Sequence, residues 1–265
     1  MPGRDALSGL DALPGGDATP VLDVLPGLGA VRRVAIVPAF NEAQSIGHVI
    51  DEIRAFDPGF EIVVVDDGSH DRTSAVARAK GAHVLTLPFN LGIGGAVQTG
   101  FLFAYEQGFD LAVRCDGDGQ HDPQQLPAVI GPVLAGEVDV CVGSRFAGEG
   151  GYRSSRTRRV GIRVLAWAVS RIVGQKVTDT TSGFQALNRA AIRLFAADYP
   201  HDYPEVEATV MLHKHRLRMR EVPVTMRERH AGTSSITALR SIYYMVKVLL
   251  SLVVAIFRRN AVPLA

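Results

Sequence analysis

Residues 114–122 read Arg-Cys-Asp-Gly-Asp-Gly-Gln-His-Asp and follow the apolar run Leu111–Val113. Two carboxylates two residues apart, Asp116 and Asp118, can share one hard divalent cation. Mg2+ keeps several waters and takes one or two carboxylates together with substrate phosphates. Gly117 and Gly119 let a ligand approach the backbone. A calcium loop fails on spacing. Counted from Asp116, the sixth position is His121 where glycine is needed, and the twelfth is Pro127 where a bidentate glutamate is needed. Standing alone, the string also describes an acidic turn at a strand end.

Three further segments bear on that choice. In Val63–Thr73 (VVVDDGSHDRT), Asp66 and Asp67 can accept hydrogen bonds from a nucleobase edge or a ribose, while Ser69 and Asp71 read as turn and helix cap. In Pro38–Glu42 (PAFNE), Pro38 and Phe40 can frame a base and Glu42 can meet a ribose hydroxyl. Asn90–Gly100 (NLGIGGAVQTG) places glycines at the opening of a helix. Gly92 and Gly94 are spaced as in a dinucleotide fingerprint, but Val97 stands where its third glycine belongs, so NAD is not read from it.

The elements that must position these residues follow from periodicity. Apolar runs at 32–40, 61–69, 83–89, 110–116 and 139–145 read as strands, and 42–55, 72–80, 94–108 and 123–135 as helices between them. Asp122 reads as a helix cap ahead of Pro123. The runs do not alternate apolar with polar, which fits strands buried on both faces and a mostly parallel α/β sheet flanked by helices. Such sheets bind ligands beyond the carboxyl ends of their strands, where all three polar clusters fall. Past 150 the alternation fails: 156–174 and 205–215 read as helices, 181–189 and 217–226 as strands.

Residues 1–30 keep no period and are broken by four prolines, a mobile tail with room for one short helical turn. One domain is expected over 31–235, and a C-terminal amphipathic helix over 236–265. Its apolar core, 242–257, is sixteen residues long and carries Lys247, short of the roughly 20 that a spanning helix needs. With Arg240, Arg258 and Arg259 alongside, it reads as a membrane-interfacial helix. A buried or homo-oligomer-forming helix and a true span are the alternatives.

The 265 residues are 47% hydrophobic and carry a formal net charge of +1, which argues against a nucleic-acid partner. The charge is uneven. Residues 145–176 hold eight Lys/Arg and one acid, and 212–260 hold ten and two, a pattern that suits a local anionic ligand or surface. Cys115 and Cys141, both in apolar runs, read as buried free thiols in a reducing compartment. The N-terminus has no basic region leading into an apolar core, so no secretory signal is expected.

VPAFNE (37–42), VVVDDGSHDRT (63–73), NLGIGGAVQTGF (90–101), DGDGQHDP (116–123), VGSRF (142–146), DTTSGFQALNR (179–189) and RHAGTSS (229–235) together resemble the family 2 glycosyltransferases. They are most similar to the dolichol-phosphate mannosyltransferase and polyprenyl-phosphate glycosyltransferase branch. The resemblance implies a GT-A fold, a UDP- or GDP-sugar donor, Mg2+ or Mn2+, and single displacement with inversion. It places Pro38, Ala39, Phe40, Asn41, Glu42, Asp67, Asp116, Gly117 and Asp118 at the nucleotide, and Asp116, Asp118 and Gln120 at the metal and diphosphate. Arg145, Arg158, Arg159, Ser182 and Arg229 fall near an acceptor phosphate, with Asp116, Asp118 and Arg145 as the catalytic set.

Many relatives carry an acidic Glu-Asp pair on a later helix as general base. Here that region reads YPEVEATVML, with Glu205 and Glu207 and no such pair. A phosphate acceptor is already ionised and needs no base, so polyprenyl phosphate is the expected acceptor, with a saccharide hydroxyl as the rival. A catalytically silent nucleotide-sugar-binding scaffold is the non-enzyme alternative, and the intact Asp-x-Asp argues against it. The implied setting is peripheral, at the cytoplasmic inner face of a membrane, reached through the C-terminal helix or a small membrane partner. Ser235 stands where many relatives have lysine, and Cys115 and His121 are read as structural.

Overall fold

The computed structural model describes residue 25, residues 27–148 and 156–227, and residues 247, 248 and 250, with side chains from 163 onward in the second stretch. Seven strands form one sheet: β1 (Arg33–Ala39), β2 (Glu61–Asp66), β3 (His83–Thr86), β4 (Leu111–Arg114), β5 (Val140–Ser144), β6 (Gln185–Asn188) and β7 (Met219–Pro223). Their spatial order is β3-β2-β1-β4-β6-β5-β7. β3, β2, β1 and β4 run parallel to one another, β5 is parallel to β7, and β6 is antiparallel to both its neighbours.

The expected α/β sheet is therefore present, mostly parallel, with one reversed strand. The helices are α1 (Ile46–Phe56), α2 (Thr73–Ala79), α3 (Gly92–Glu106), α4 (Leu126–Leu134), α5 (Arg156–Val173), α6 (Arg189–Ala197) and α7 (Pro204–Lys214). The run 181–189 does not stay extended. Asn188 ends β6, and its Oδ1 accepts from the Ala191 N–H at 3.0 Å, an N-cap that starts α6, a helix missing from the expected set.

Burial on both faces explains why the strands lack alternation. In β1, Ala35 and Val37 pack on one side with Ile46, Val49, Ile50 and Ile53 of α1 and with Leu126, Val129 and Ile130 of α4. Val34 and Ile36 pack on the other with Val97, Phe101 and Ala104 of α3 and with Ile192 and Phe195 of α6. Polar ends seat the helices. Asp71 accepts from the Thr73 N–H at 2.9 Å at the start of α2, and Asp122 accepts from the Gln124 N–H at 3.0 Å ahead of α4, as expected of both. Cys115 and Cys141 are free and buried.

Among the described residues no helix is long and apolar enough to cross a membrane. Of the expected C-terminal helix only residues 247, 248 and 250 are described, and they are helical. The remainder of 236–265, and residues 1–24 and 26 of the expected tail 1–30, lie outside the described residues. At the end of that stretch Leu28–Ala30 form one helical turn, and Leu25 and Leu28 are buried in the core, so these residues belong to the domain.

Two helical glycines differ in the room they leave for alanine. A Cβ on Gly100 of α3 would lie 2.3 Å from Ile36 Cγ2, a stiff β-branched side chain in the centre of the sheet. Overpacking costs about 1–3 kcal/mol, against about 1 kcal/mol gained in helix propensity, so Gly100→Ala is expected to lower the urea midpoint. A Cβ on Gly131 of α4 meets only Leu25 Cδ2 at 3.8 Å apart from its own chain neighbours. Pro132 follows it in the helix and disfavours a side chain before it in helical conformation. This offsets the gain in helix propensity, so Gly131→Ala is expected to leave the midpoint near wild type. Equal shifts of one sign would contradict this packing.

Candidate active site

Because β2, β1 and β4 are neighbours and parallel, the loops leaving their carboxyl ends lie side by side. They open onto a cleft of about 440 Å³. From β1 the wall takes Pro38, Ala39, Phe40 and Glu42, from β2 Asp67, and from β4 Arg114, Asp116, Gly117 and Asp118. The start of α3 supplies Gly92, Ile93 and Ala96, and the far wall is Thr181, Gly183 and Glu205.

Phe40 stands at the rim, 42% exposed, edge-on to His70 with ring centres 6.3 Å apart. Glu42 Oε2 lies 2.8 Å from Ser45 Oγ, which also lies 2.8 Å from the Gly117 carbonyl oxygen. This links the β1 loop to the Asp116–Asp118 loop. Asp67 bridges to α3: its carboxylate accepts from the Leu91 N–H at 2.7 Å and the Gly92 N–H at 3.0 Å, at the positive end of that helix. Burial outweighs these bonds and raises its pKa. Asp66 is spent inside the turn, accepting from the Ser69 N–H at 2.9 Å and from the Ser74 hydroxyl.

Asp118 is buried, and its Oδ1 accepts from the Gln120 N–H at 3.0 Å. The Asp116 side chain is 34% exposed and lies between a histidine and an arginine. The Asp116 N–H donates to His121 Nδ1 at 2.9 Å, so a neutral ring carries its proton on Nε2, which lies 3.7 Å from Asp116 Oδ2. Burial lowers the His121 pKa and favours that neutral form. Its ring packs against Phe184 with centres 5.0 Å apart.

On the other side, Arg114 Nη2 sits 3.7 Å from Asp116 Oδ1 and donates to Glu205 Oε1 at 2.9 Å. Arg114 is buried; the negative Glu205 opposes the cost of that burial and holds its pKa above the usual range. Burial also pushes up the Cys115 thiol and the Tyr199 hydroxyl nearby. Gly183 closes this corner. A Cβ there would come within 2.9 Å of both Arg114 Nη2 and Asp116 Oδ1.

Four expected site residues do not line this cleft; three hold loops through their side chains and Gln120 through its backbone. Asn41 has a φ of 57° and accepts from the His70 N–H at 2.9 Å, joining the β1 and β2 loops. Gln120 contributes its backbone, the N–H to Asp118 and the carbonyl to the Arg227 N–H. Ser182 is buried and donates to the Gly143 carbonyl at 2.5 Å. Arg145 grips Asp179 with two bonds, Nε–Oδ2 at 2.7 Å and Nη2–Oδ1 at 2.8 Å, and reaches the Thr181 hydroxyl. Arg145, expected near an acceptor phosphate, pairs here with a carboxylate, which drops the Asp179 pKa below the ordinary value despite burial. Glu221 of β7 accepts from the Thr178 and Asp179 N–H groups at 2.7 and 2.9 Å. The 178–183 loop is thus tied to β5 and β7, and presents Thr181 and Gly183 to the cleft. The side chains of Arg158 and Arg159, and Arg229 as a whole, lie outside the described residues.

Arg114 and Glu205 are absent from the expected site. One signal points to Arg114: an arginine closing an apolar four-residue strand has to find a buried partner. Its partner is 91 residues away, and no local pattern points there.

Among the described residues no group of three or more His, Cys, Asp or Glu could hold a metal. What faces the cleft is a pair of hard oxygen donors, Asp116 and Asp118. That set does not make an all-protein cage. It fits a divalent cation whose other ligands are substrate phosphates and water.

Residues 34–195 match Glycosyl transferase family 2. The chain is 31% identical over 219 residues to the undecaprenyl-phosphate mannosyltransferase of Micrococcus luteus, across 78% of this chain and 88% of that protein. It is 30% identical over 216 residues to the polyprenol monophosphomannose synthase of Mycolicibacterium smegmatis, across 78% and 81%. Its fold is similar to that of glucosyl-3-phosphoglycerate synthase from Mycobacterium tuberculosis, solved with Mn2+, UDP and glucosyl-3-phosphoglycerate. The TM-score is 0.69 at 23% identity, covering 94% of this chain and 88% of that one. The architecture is of the GT-A type.

Two outcomes test this geometry. Glu205→Ala leaves the Arg114 charge buried without its carboxylate, a loss expected to cost about 3–5 kcal/mol in urea unfolding. Adding Arg114→Met is expected to restore most of it, and a fully additive double mutant would refute the coupling. For Asp179, whose folded pKa is depressed, the stabilisation is complete above the unfolded value of about 3.9 and is lost as pH falls through the folded value. Wild type is therefore expected to lose stability in acid more steeply than Asp179→Asn, with a constant gap near neutral pH; parallel pH curves would contradict the pairing.

Proposed function

Because the chain belongs to glycosyltransferase family 2, we propose that it moves a sugar from a nucleotide-diphosphate sugar to a polyprenyl phosphate, with inversion. The observation that carries this reading is the cleft. Carboxylates that suit a cation shared with a diphosphate stand at one end, and a wall able to frame a nucleoside stands at the other. Pro38, Ala39 and Phe40 enclose the base. Asp67, held still by the Leu91 and Gly92 N–H groups, offers its remaining lone pairs to the nucleoside. Glu42 is placed for a ribose hydroxyl, and Gly117 lets the diphosphate approach the backbone.

Asp116 and Asp118 hold the divalent cation, Mg2+ or Mn2+, which when bound neutralises the charge that gathers on the departing diphosphate. His121 and Arg114 fix the Asp116 carboxylate from its two sides. In the displacement, an acceptor phosphate oxygen forms a bond to the anomeric carbon as the bond from that carbon to the diphosphate oxygen breaks. The nucleoside diphosphate leaves with the electron pair.

The acceptor is argued from Glu205. It is the carboxylate on the far wall, and its Oε1 is bonded to Arg114. A hydroxyl acceptor would need a general base in that region, whereas a phosphate oxygen is already ionised. The relatives named for undecaprenyl phosphate and polyprenol support the same class of acceptor. Such an acceptor places the work at a membrane surface, and we assign it to the inner face.

The test incubates the protein with Mg2+ or Mn2+, a panel of labelled UDP- and GDP-sugars and polyprenyl phosphate, followed by organic extraction. Label is expected in the lipid phase, and Asp118→Asn is expected to reduce it by roughly 10²-fold or more. Label confined to a soluble glycan would favour a hydroxyl acceptor, and donor binding with no transfer to any acceptor would sink the enzymatic reading.

A further inference from the structure

Helix α5 (Arg156–Val173) has two unlike faces. Leu165, Val169 and Val173 are buried against Val206 and Val210 of α7, with Val248 in the same cluster. On the outer side Trp167 is 68% exposed and Val164 43%, with Arg163 and Arg171 exposed beside them. The positions 163, 164, 167 and 171 recur at helical spacing and share one side. Leu250, two residues past Val248, is 62% exposed.

The charge pattern is one-sided. The helix sequence RTRRVGIRVLAWAVSRIV contains five arginines and no acid. A solvated helix face ordinarily mixes both signs in pairs that support the helix; this one does not. A large exposed aromatic ring among arginines has the composition of an element that lies at a membrane–water boundary. There tryptophan settles at headgroup depth and basic side chains meet anionic lipid.

We propose that the outer face of α5 docks on an anionic lipid surface, with Trp167 entering the headgroup region and Arg163 and Arg171 meeting lipid phosphates. The arrangement has a consequence for the cleft. α5 packs on α7, and α7 carries Glu205 in its first turn on the cleft wall. A docked α5 holds that wall at a set height over the bilayer. This deepens the reading of a lipid-borne acceptor and rests on it only for its purpose, since the docking can be measured without turnover.

Trp167 is the one tryptophan of the chain, so its emission reports this face alone. The full chain is titrated with vesicles of phosphatidylglycerol and phosphatidylcholine, and with phosphatidylcholine alone. A blue shift, quenched by brominated acyl chains, is expected with the anionic vesicles and not with the neutral ones. Arg163→Gln and Arg171→Gln are each expected to weaken binding about fivefold, the worth of one basic residue near an anionic surface. Trp167→Ser is expected to reduce vesicle flotation while leaving the urea midpoint in place.

Flotation with unshifted emission overturns the proposal, because the contact then lies elsewhere on the chain. A shift that grows with protein concentration and without lipid overturns it in favour of a second copy of the chain. Equal shifts on neutral and anionic vesicles overturn the role of the arginines. Transfer to detergent-dispersed polyprenyl phosphate is assayed in parallel. Transfer without an emission shift removes the docking alone, and a shift without transfer removes the acceptor reading alone.

Discussion

The buried guanidinium of Arg114 is the constraint around which the site is assembled. It closes β4 beneath the Asp116 loop, where an uncompensated charge would cost several kcal/mol. Glu205 of α7 answers it at 2.9 Å and Tyr199, just past α6, at 3.4 Å. Asp116 shares the same field at 3.7 Å, and a side chain at 183 would crowd the pair. One charge thereby brings together β4, the loop before β6 and the start of α7. Moving any of them exposes or strands it. The carboxylate assigned to the cation is consequently held by the architecture and does not depend on a flexible loop.

The sheet supplies the second condition. Parallel strands β2, β1 and β4 stand next to one another, so three loops far apart in sequence open on the same edge. Short polar ties then convert adjacency into geometry. Asp67 fastens the β2 loop to α3, Ser45 joins the β1 loop to Gly117, and Asn41 joins the β1 and β2 loops. Across the cleft, the Arg145–Asp179 pair and Glu221 fasten the 178–183 loop to β5 and β7. The polar residues of the motifs thus divide into those that face the cleft and those that hold its wall. Both kinds satisfy buried polar groups, which is why motif membership alone does not separate them.

Much of this is legible in the order of the amino acids. Doubly buried strands announce themselves as unbroken apolar runs, and β1, β2, β4 and β5 fall within the expected segments, as does the half-exposed edge strand β3. Asp71 and Asp122 are legible as caps because capping is settled within three residues. The two carboxylates of the Asp-Gly-Asp loop, and Pro38, Phe40, Glu42 and Asp67, reach the cleft because a strand's carboxyl end is marked by where its apolar run stops. Helix α6 is hidden by the apolar residues that run on from β6, and the reversal of β6 has no local signature at all.

By itself the sequence determined the class of sheet, the strands that carry the polar loops, and the chemical types gathered at their ends. These are local matters of periodicity, turn chemistry and apolar content. Tertiary structure decided which carboxylate each of two arginines meets. Arg145, expected near a phosphate, pairs with Asp179, 34 residues on; Arg114, outside the expected set, meets Glu205, 91 residues on. A buried charge takes whichever opposite charge the fold brings within reach, and that distance is a property of the packed sheet and helices, unreadable from spacing along the chain.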